Sequence, residues 1–195
     1  MKITWKAHVV GALTLVAALS AQPALAVDEM AMVTESRGAV KMFFGKLKGT
    51  LMQGMKSGGP GAAATLCNSA AGGIGNMASK NYGGTVARTS LKVRNPDNAP
   101  DAWERKVLES FDARLAAGED PKKMEHHEVV MVNDQKVFRY MKAIPTAAKP
   151  CLACHGEKIH PKAEVTLSRL YPNDKARGYK AGQIRGAFTL KKEIK

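Results

Sequence analysis

Cys151-Leu152-Ala153-Cys154-His155 sets two thiols three residues apart, with an imidazole directly after the second. Thiols at that spacing can reach the two vinyl groups on one edge of a porphyrin. The next imidazole can then meet the iron, which is the C-x-x-C-H pattern of c-type haem attachment. With 3 Cys and 5 His in 195 residues, this order arises by chance on the order of once in a thousand such chains. Two other chemistries use the same residues. One is a redox-active C-x-x-C pair of the thioredoxin-like kind, and the other is a zinc site of three thiolates and one imidazole from Cys67, Cys151, Cys154 and His155. The first lacks an upstream βαβ pattern and carries Pro150 immediately before the motif. The second requires adjacent Cys154 and His155 to bind one tetrahedral ion. The expected cofactor is one haem c, covalent through two thioethers, with His155 on the iron.

Thioether attachment of this kind takes place outside the cytoplasmic membrane, and the chain opens with a matching signal. Lys2 and Lys6 precede an uncharged apolar run of eleven residues, Val9 to Leu19, and Ala24-Leu25-Ala26 follows before Val27. That is a secretory signal peptide over residues 1–26. The run falls short of the roughly 20 residues needed to span a bilayer. A periplasmic or secreted product with no membrane span after cleavage is expected, residues 27–195 forming a single domain. Cleavage removes two lysines and no acid, taking the formal net charge from +13 to +11. Export argues against nucleic acid as the partner of this charge and leaves an acidic redox partner protein or an anionic surface. Three cysteines cannot form a disulfide framework without a leftover, whereas two thioethers leave Cys67 alone.

Apolar residues at helical spacing predict an amphipathic helix over Met30 to Lys56, broken by Ser57-Gly58-Gly59, and a second helix opened by Pro60. Ala63, Leu66, Cys67, Ala70, Ile74 and Met77 share one face of the second, which turns Cys67 inward. Thr85 to Val93 reads as a strand, and Pro100 opens a third helix with the stripe Trp103, Val107, Phe111 and Leu115 that Gly118 closes. Glu128 to Val132 and Lys136 to Ile144 read as strands around Asn133-Asp134-Gln135, a hairpin turn. A short helix over Pro161 to Tyr171 precedes a last strand with Ile184, Gly186, Phe188 and Leu190 on one side and Gln183, Arg185 and Thr189 on the other. Helices first and then mostly antiparallel strands predict an α+β domain.

The segment from Arg88 to Glu104, RTSLKVRNPDNAPDAWE, resembles the signature of a bacterial family of c-type haem proteins long described as a domain of unknown function. An upstream helix with a cysteine and a downstream C-x-x-C-H after a hairpin complete the likeness, which covers roughly Val33 to Glu193. The resemblance implies a PAS-like fold in which an antiparallel sheet and flanking helices enclose the haem, with a histidine and a cysteine as axial ligands. On this sequence these are His155 and Cys67. The residues alone leave the sixth position open among Cys67, Met77, Met124, Met131, Met141, His126, His127 and His160. Arg88, Lys92 and Arg94 alternate along the strand that precedes Asn95-Pro96. They form either an exposed polar face or charge-assisted contacts to haem propionates.

Electron transfer beside an acidic partner is the function these features support first, and no enzymatic activity is expected. A periplasmic redox or gas sensor is the alternative, and a peroxidase-type enzyme, which needs an open iron face with a distal acid or base, is a third.

Overall fold

The Gly-Gly-Pro step is where the first element turns back on itself. In a computed structural model, which describes residues 28–194, α1 runs Glu29–Tyr82 with non-helical geometry at Gly58 and Gly59. The expected signal peptide, residues 1–26, lies outside the described residues. Gly59 has φ 74° and ψ −159°, a conformation open to glycine without strain. Pro60 then opens the second arm at a position where its missing N–H is not needed.

The two expected helices are thus the arms of one antiparallel hairpin. Ser36 Oγ meets Tyr82 Oη at 2.9 Å across the open end. Near the turn, a Cβ added at Gly54 would collide with Ala63 Cα. Glycine and alanine at these places let the backbones touch.

Four strands, β1 (Thr85–Thr89), β2 (Glu125–Val132), β3 (Gln135–Pro145) and β4 (Ile184–Glu193), form an antiparallel sheet in the order β1-β4-β3-β2. The β2–β3 turn is Asn133 and Asp134, with φ 49° and 63°. Two positive φ values match the twist of a tight hairpin, and Asn and Asp tolerate them better than most side chains. The hairpin α1 covers one sheet face, where Phe43 and Val40 meet Val86, Phe138, Tyr140 and Leu190. On the other face α2 (Ala102–Ala116) lays Val107, Leu108 and Phe111 on Met141, Ala143 and Ala187. The α+β expectation therefore holds: an antiparallel sheet with helices on both faces.

Three local expectations need correction. Helix α2 begins after Asp101, not at Pro100, because Asp101 and Glu104 close a reciprocal capping box. Strand β1 ends at Thr89 instead of Val93. Ser90 Oγ accepts from Lys92 N–H at 3.2 Å and donates to Arg185 O at 2.8 Å, a local side-chain bond that competes with the ladder. Arg88 is therefore on the strand, while Lys92 and Arg94 are on the loop after it. The β3–β4 register shifts between Ile144 and Pro145, so Ile184 joins the α2-side core and not the side of Phe188 and Leu190.

Two short helices complete the frame, α3 (Leu152–His155) and α4 (Pro161–Leu170). Helix α4 crosses the second arm of α1 at Gly61, where an added Cβ would lie 2.6 Å from Lys162 O. Ala64, Ala163 and Leu167 fill the crossing. Gly61→Val is expected to destabilise the fold by about 1–3 kcal/mol through overpacking, read as a lower urea midpoint. An unchanged midpoint would show that the crossing is looser than this. No helix among the described residues is long and apolar enough to cross a membrane.

Candidate functional site

The motif folds into a single helical turn. The N–H groups of Cys154 and His155 donate to Cys151 O at 3.1 and 2.9 Å, which puts positions i, i+3 and i+4 on one face. Both thiols and the imidazole therefore project together. The turn is then stitched to the segment before β4. Tyr179 N–H donates to His155 O at 2.9 Å and Gly178 N–H to Gly156 O at 3.0 Å. Arg94 donates to Cys154 O and pairs with Asp174 at 3.0 Å, their side chains 13% and 1% exposed.

Asp174 also accepts from Ala176 N–H at 2.9 Å and from Arg177 Nε at 3.1 Å. It thus locks the loop that faces His155. Removing one partner of a buried pair strands the other charge, which costs about 3–5 kcal/mol. Asp174→Ala is accordingly expected to lower stability by that order, measured by denaturant titration. A loss under about 1 kcal/mol, the scale of exposed pairs, would show that Arg94 finds another partner.

His155 Nδ1 lies 2.9 Å from Ala176 O and 3.1 Å from Arg185 Nε. One ring nitrogen cannot donate and accept at once. The shorter contact goes to a carbonyl, which can only accept, so the proton sits on Nδ1 and Arg185 stands by as a neighbouring charge. Nε2 then keeps its lone pair, the tautomer of a metal-ligating histidine held by a carbonyl behind it. Burial, then Arg185 and Arg94, hold the ring well below its ordinary pKa, so it is neutral. The Tyr179 ring packs edge-on at 6.3 Å.

Cys67 is half-buried on the second arm of α1, one turn on from Ala64, whose cluster with Ala163 and Leu167 Cys154 packs against. Burial pushes the Cys67 thiol up, and the Arg88 guanidinium pulls it back. Arg88 is itself pressed down by burial, and its titratable neighbours Cys67 and Tyr171 carry charge only when they lose their protons. It makes no ion pair with a carboxylate among the described residues. A cation withdrawn from water in this way needs an anion. A thiolate at Cys67 or a propionate would supply one, so the residues present fit a c-type haem: two thiols, a neutral imidazole, a third thiol beside them, and an uncompensated cation.

The family model described as Tll0287-like matches residues 14–192. The chain belongs to the Tll0287-like family. Among solved structures it is similar to the crystal structure of the cyanobacterial heme-protein Tll0287, at 24% identity over 87% of this chain and 98% of that one, with a TM-score of 0.60. At that identity the likeness shows a shared fold. No curated protein matches the chain.

Within this Tll0287-like fold the remaining ligand candidates lie elsewhere. Met124 and Met141 are fully buried in the α2-side core. Met131 and Met77 are exposed, at 62% and 48%. His160 caps α4, its Nδ1 accepting from Lys162 N–H at 3.2 Å. His126 is exposed on β2 beside Glu128, and His127 lies against Phe138. Of the arginine and lysine candidates, Arg94 is taken up by Asp174 and the carbonyls of Cys154 and Ala176, and Lys92 donates to Arg177 O at 3.2 Å. Among the described residues no group of three or more His, Cys, Asp or Glu is placed to hold a metal ion.

Asp174, Ala176, Tyr179 and Arg185 were not among the residues singled out from sequence. Their only signal is a polar run before an apolar strand.

Proposed function

We propose that this chain is an exported single-haem c-type cytochrome that transfers electrons in the periplasm or outside the cell. The observation that carries the reading is the single helical turn that projects Cys151, Cys154 and a neutral His155 together, with Nδ1 held by Ala176 O. Cys151 and Cys154 would hold the haem as thioethers, and His155 would ligate its iron through Nε2. Cys67 would be the second ligand, supported by its place one turn from Ala64, against which Cys154 packs, when the other candidates lie elsewhere. Arg88 would offset the negative charge gathered there. We read the domain as PAS-like, its sheet and helices enclosing the cofactor. Bound there, haem c supplies one reversible one-electron couple. The chain's own residues position it, withdraw it from water and set its charge environment, and this reading includes no catalysis.

Expression with a c-type maturation system, followed by denaturing electrophoresis and haem-peroxidase staining, tests the reading. A stained band near the mature mass is expected, and an unstained one would end it. The net charge of +11 after cleavage (+13 less Lys2 and Lys6) fits an acidic redox partner. Electron exchange with such a partner is expected to slow about tenfold as the Debye length shrinks from about 30 to 10 Å. Salt-independent exchange would remove the basic surface from the account.

A sensor is favoured by one observation, the Arg185 contact to His155 from the side away from Nε2. Carbon monoxide separates the readings: immediate tight binding by the ferrous protein would favour the sensor or a peroxidase over the carrier.

A further inference from the structure

Arg185 stands behind His155. Its Nε approaches Nδ1, the ring nitrogen remote from the lone pair on Nε2. Its Nη1 donates to Ser90 Oγ at 2.8 Å and to Lys92 O at 3.3 Å, and no carboxylate among the described residues pairs with it. Lys92 is equally without an acid. The two cations share the Tyr179 ring, with Lys92 Nζ at 5.0 Å and Arg185 Cζ at 5.5 Å from its centroid. Two like charges held together and left unpaired are a standing cost that an anion would relieve.

These cations form one end of a cleft of ≈ 400 Å³ between α2 and the start of β4. Its walls are Leu91, Leu108, Leu115 and Ile184. An apolar cleft of this size with a few converging polar groups is the usual form of a small-molecule site. Asp112 stands at its mouth, exposed on α2. One acid facing two bases admits one negative charge and opposes a second.

We propose that this cleft binds a small organic monocarboxylate, its carboxylate held by Lys92 and Arg185 and its apolar body against the leucines and Ile184, and that occupancy reaches His155 through Arg185. The first half stands on the cleft alone. The second rests on His155 being the iron ligand. A bound carboxylate neutralises the positive charge beside the imidazole, which strengthens the ring as a donor and favours ferric iron.

The test is calorimetric titration of the full chain with benzoate and isovalerate as probes, beside benzyl alcohol, phthalate and inorganic phosphate. At least one of the two monocarboxylates is expected to bind. The neutral alcohol and the dianion should bind at least about tenfold more weakly, the value of a lost charged contact. Lys92→Gln, a change at an exposed side chain, should weaken the monocarboxylate by a similar factor, and Leu115→Trp should block it by filling the cleft. Failure of both monocarboxylates, phosphate binding as tightly as either, or indifference to Lys92→Gln would overturn the site. For the coupling, the His155 ring-nitrogen chemical shift should move on titration whether or not haem is attached. In the haem-loaded protein the reduction potential should fall. Binding that leaves the ring nitrogens unmoved would overturn the coupling, and a chain that never attaches haem would sink the cytochrome reading while the calorimetry and the ring shift still report on this one.

Discussion

Changing Cys151 and Cys154 together to serine should abolish haem staining after denaturation while leaving the fold in place. Each thioether requires a sulfur at its own position, and serine offers no nucleophile that adds to a vinyl group under maturation conditions. The fold should survive because neither thiol holds it. Both are half-buried, and only Cys154 touches a core cluster, at the edge of Ala64, Ala163 and Leu167. The docking of the turn runs through backbone groups, Tyr179 N–H to His155 O and Gly178 N–H to Gly156 O, which the substitution leaves intact. The expected result is complete loss of stain with a circular dichroism spectrum and urea midpoint near those of the parent, within about 1 kcal/mol. Single variants should retain one thioether and stain weakly. A double variant that stains like the parent would mean the haem is not attached here.

The Cys151–His155 turn is legible because its chemistry is packed into five consecutive residues. Its surroundings are not. Ala176 and Arg185 lie 21 and 30 positions downstream of His155 in sequence, the first brought to it by the loop that Arg94 and Asp174 pin and the second by the start of β4. No periodicity marks such a loop. Arg185 was assigned to the polar side of a regular strand, but the register shift at Ile144/Pro145 turns that end of β4 toward the site, and bulges leave little trace in alternation. Residues 90–94 misled for a related reason. They alternate polar and apolar side chains as a strand does, but the Ser90 hydroxyl gives the Lys92 N–H a local partner and bends the backbone out of the sheet. By contrast, the Gly58-Gly59-Pro60 break and the Asn133-Asp134 turn were readable because each demands backbone angles that few residues accept.

Cys67→Ala should leave the haem attached, change the ferric low-spin spectrum and raise the reduction potential. A buried thiol in apolar surroundings keeps its proton, and burial alone pushes Cys67 up. Two influences oppose that. The Arg88 guanidinium beside it favours the thiolate, and coordination by ferric iron deprotonates a thiol outright. A thiolate ligand favours ferric over ferrous iron, so losing it should move the potential upward by on the order of 0.1 V, within the span of about 0.8 V that axial ligands command. Cys67→Met should raise it as well while restoring six-coordination, a thioether being a usual ligand of c-type haem. Arg88→Gln supplies a separate check. With the compensating cation gone, the thiolate form is less favoured and the Cys67 ligand should be lost at a higher pH as the solution is acidified. A redox titration followed by optical and paramagnetic resonance spectra measures all three variants. If Cys67→Ala matches the parent in both oxidation states, Cys67 is a packing residue of the second arm. The sixth ligand would then have to come from a side chain that this fold holds away from His155, Met77 on the same arm being the first to replace.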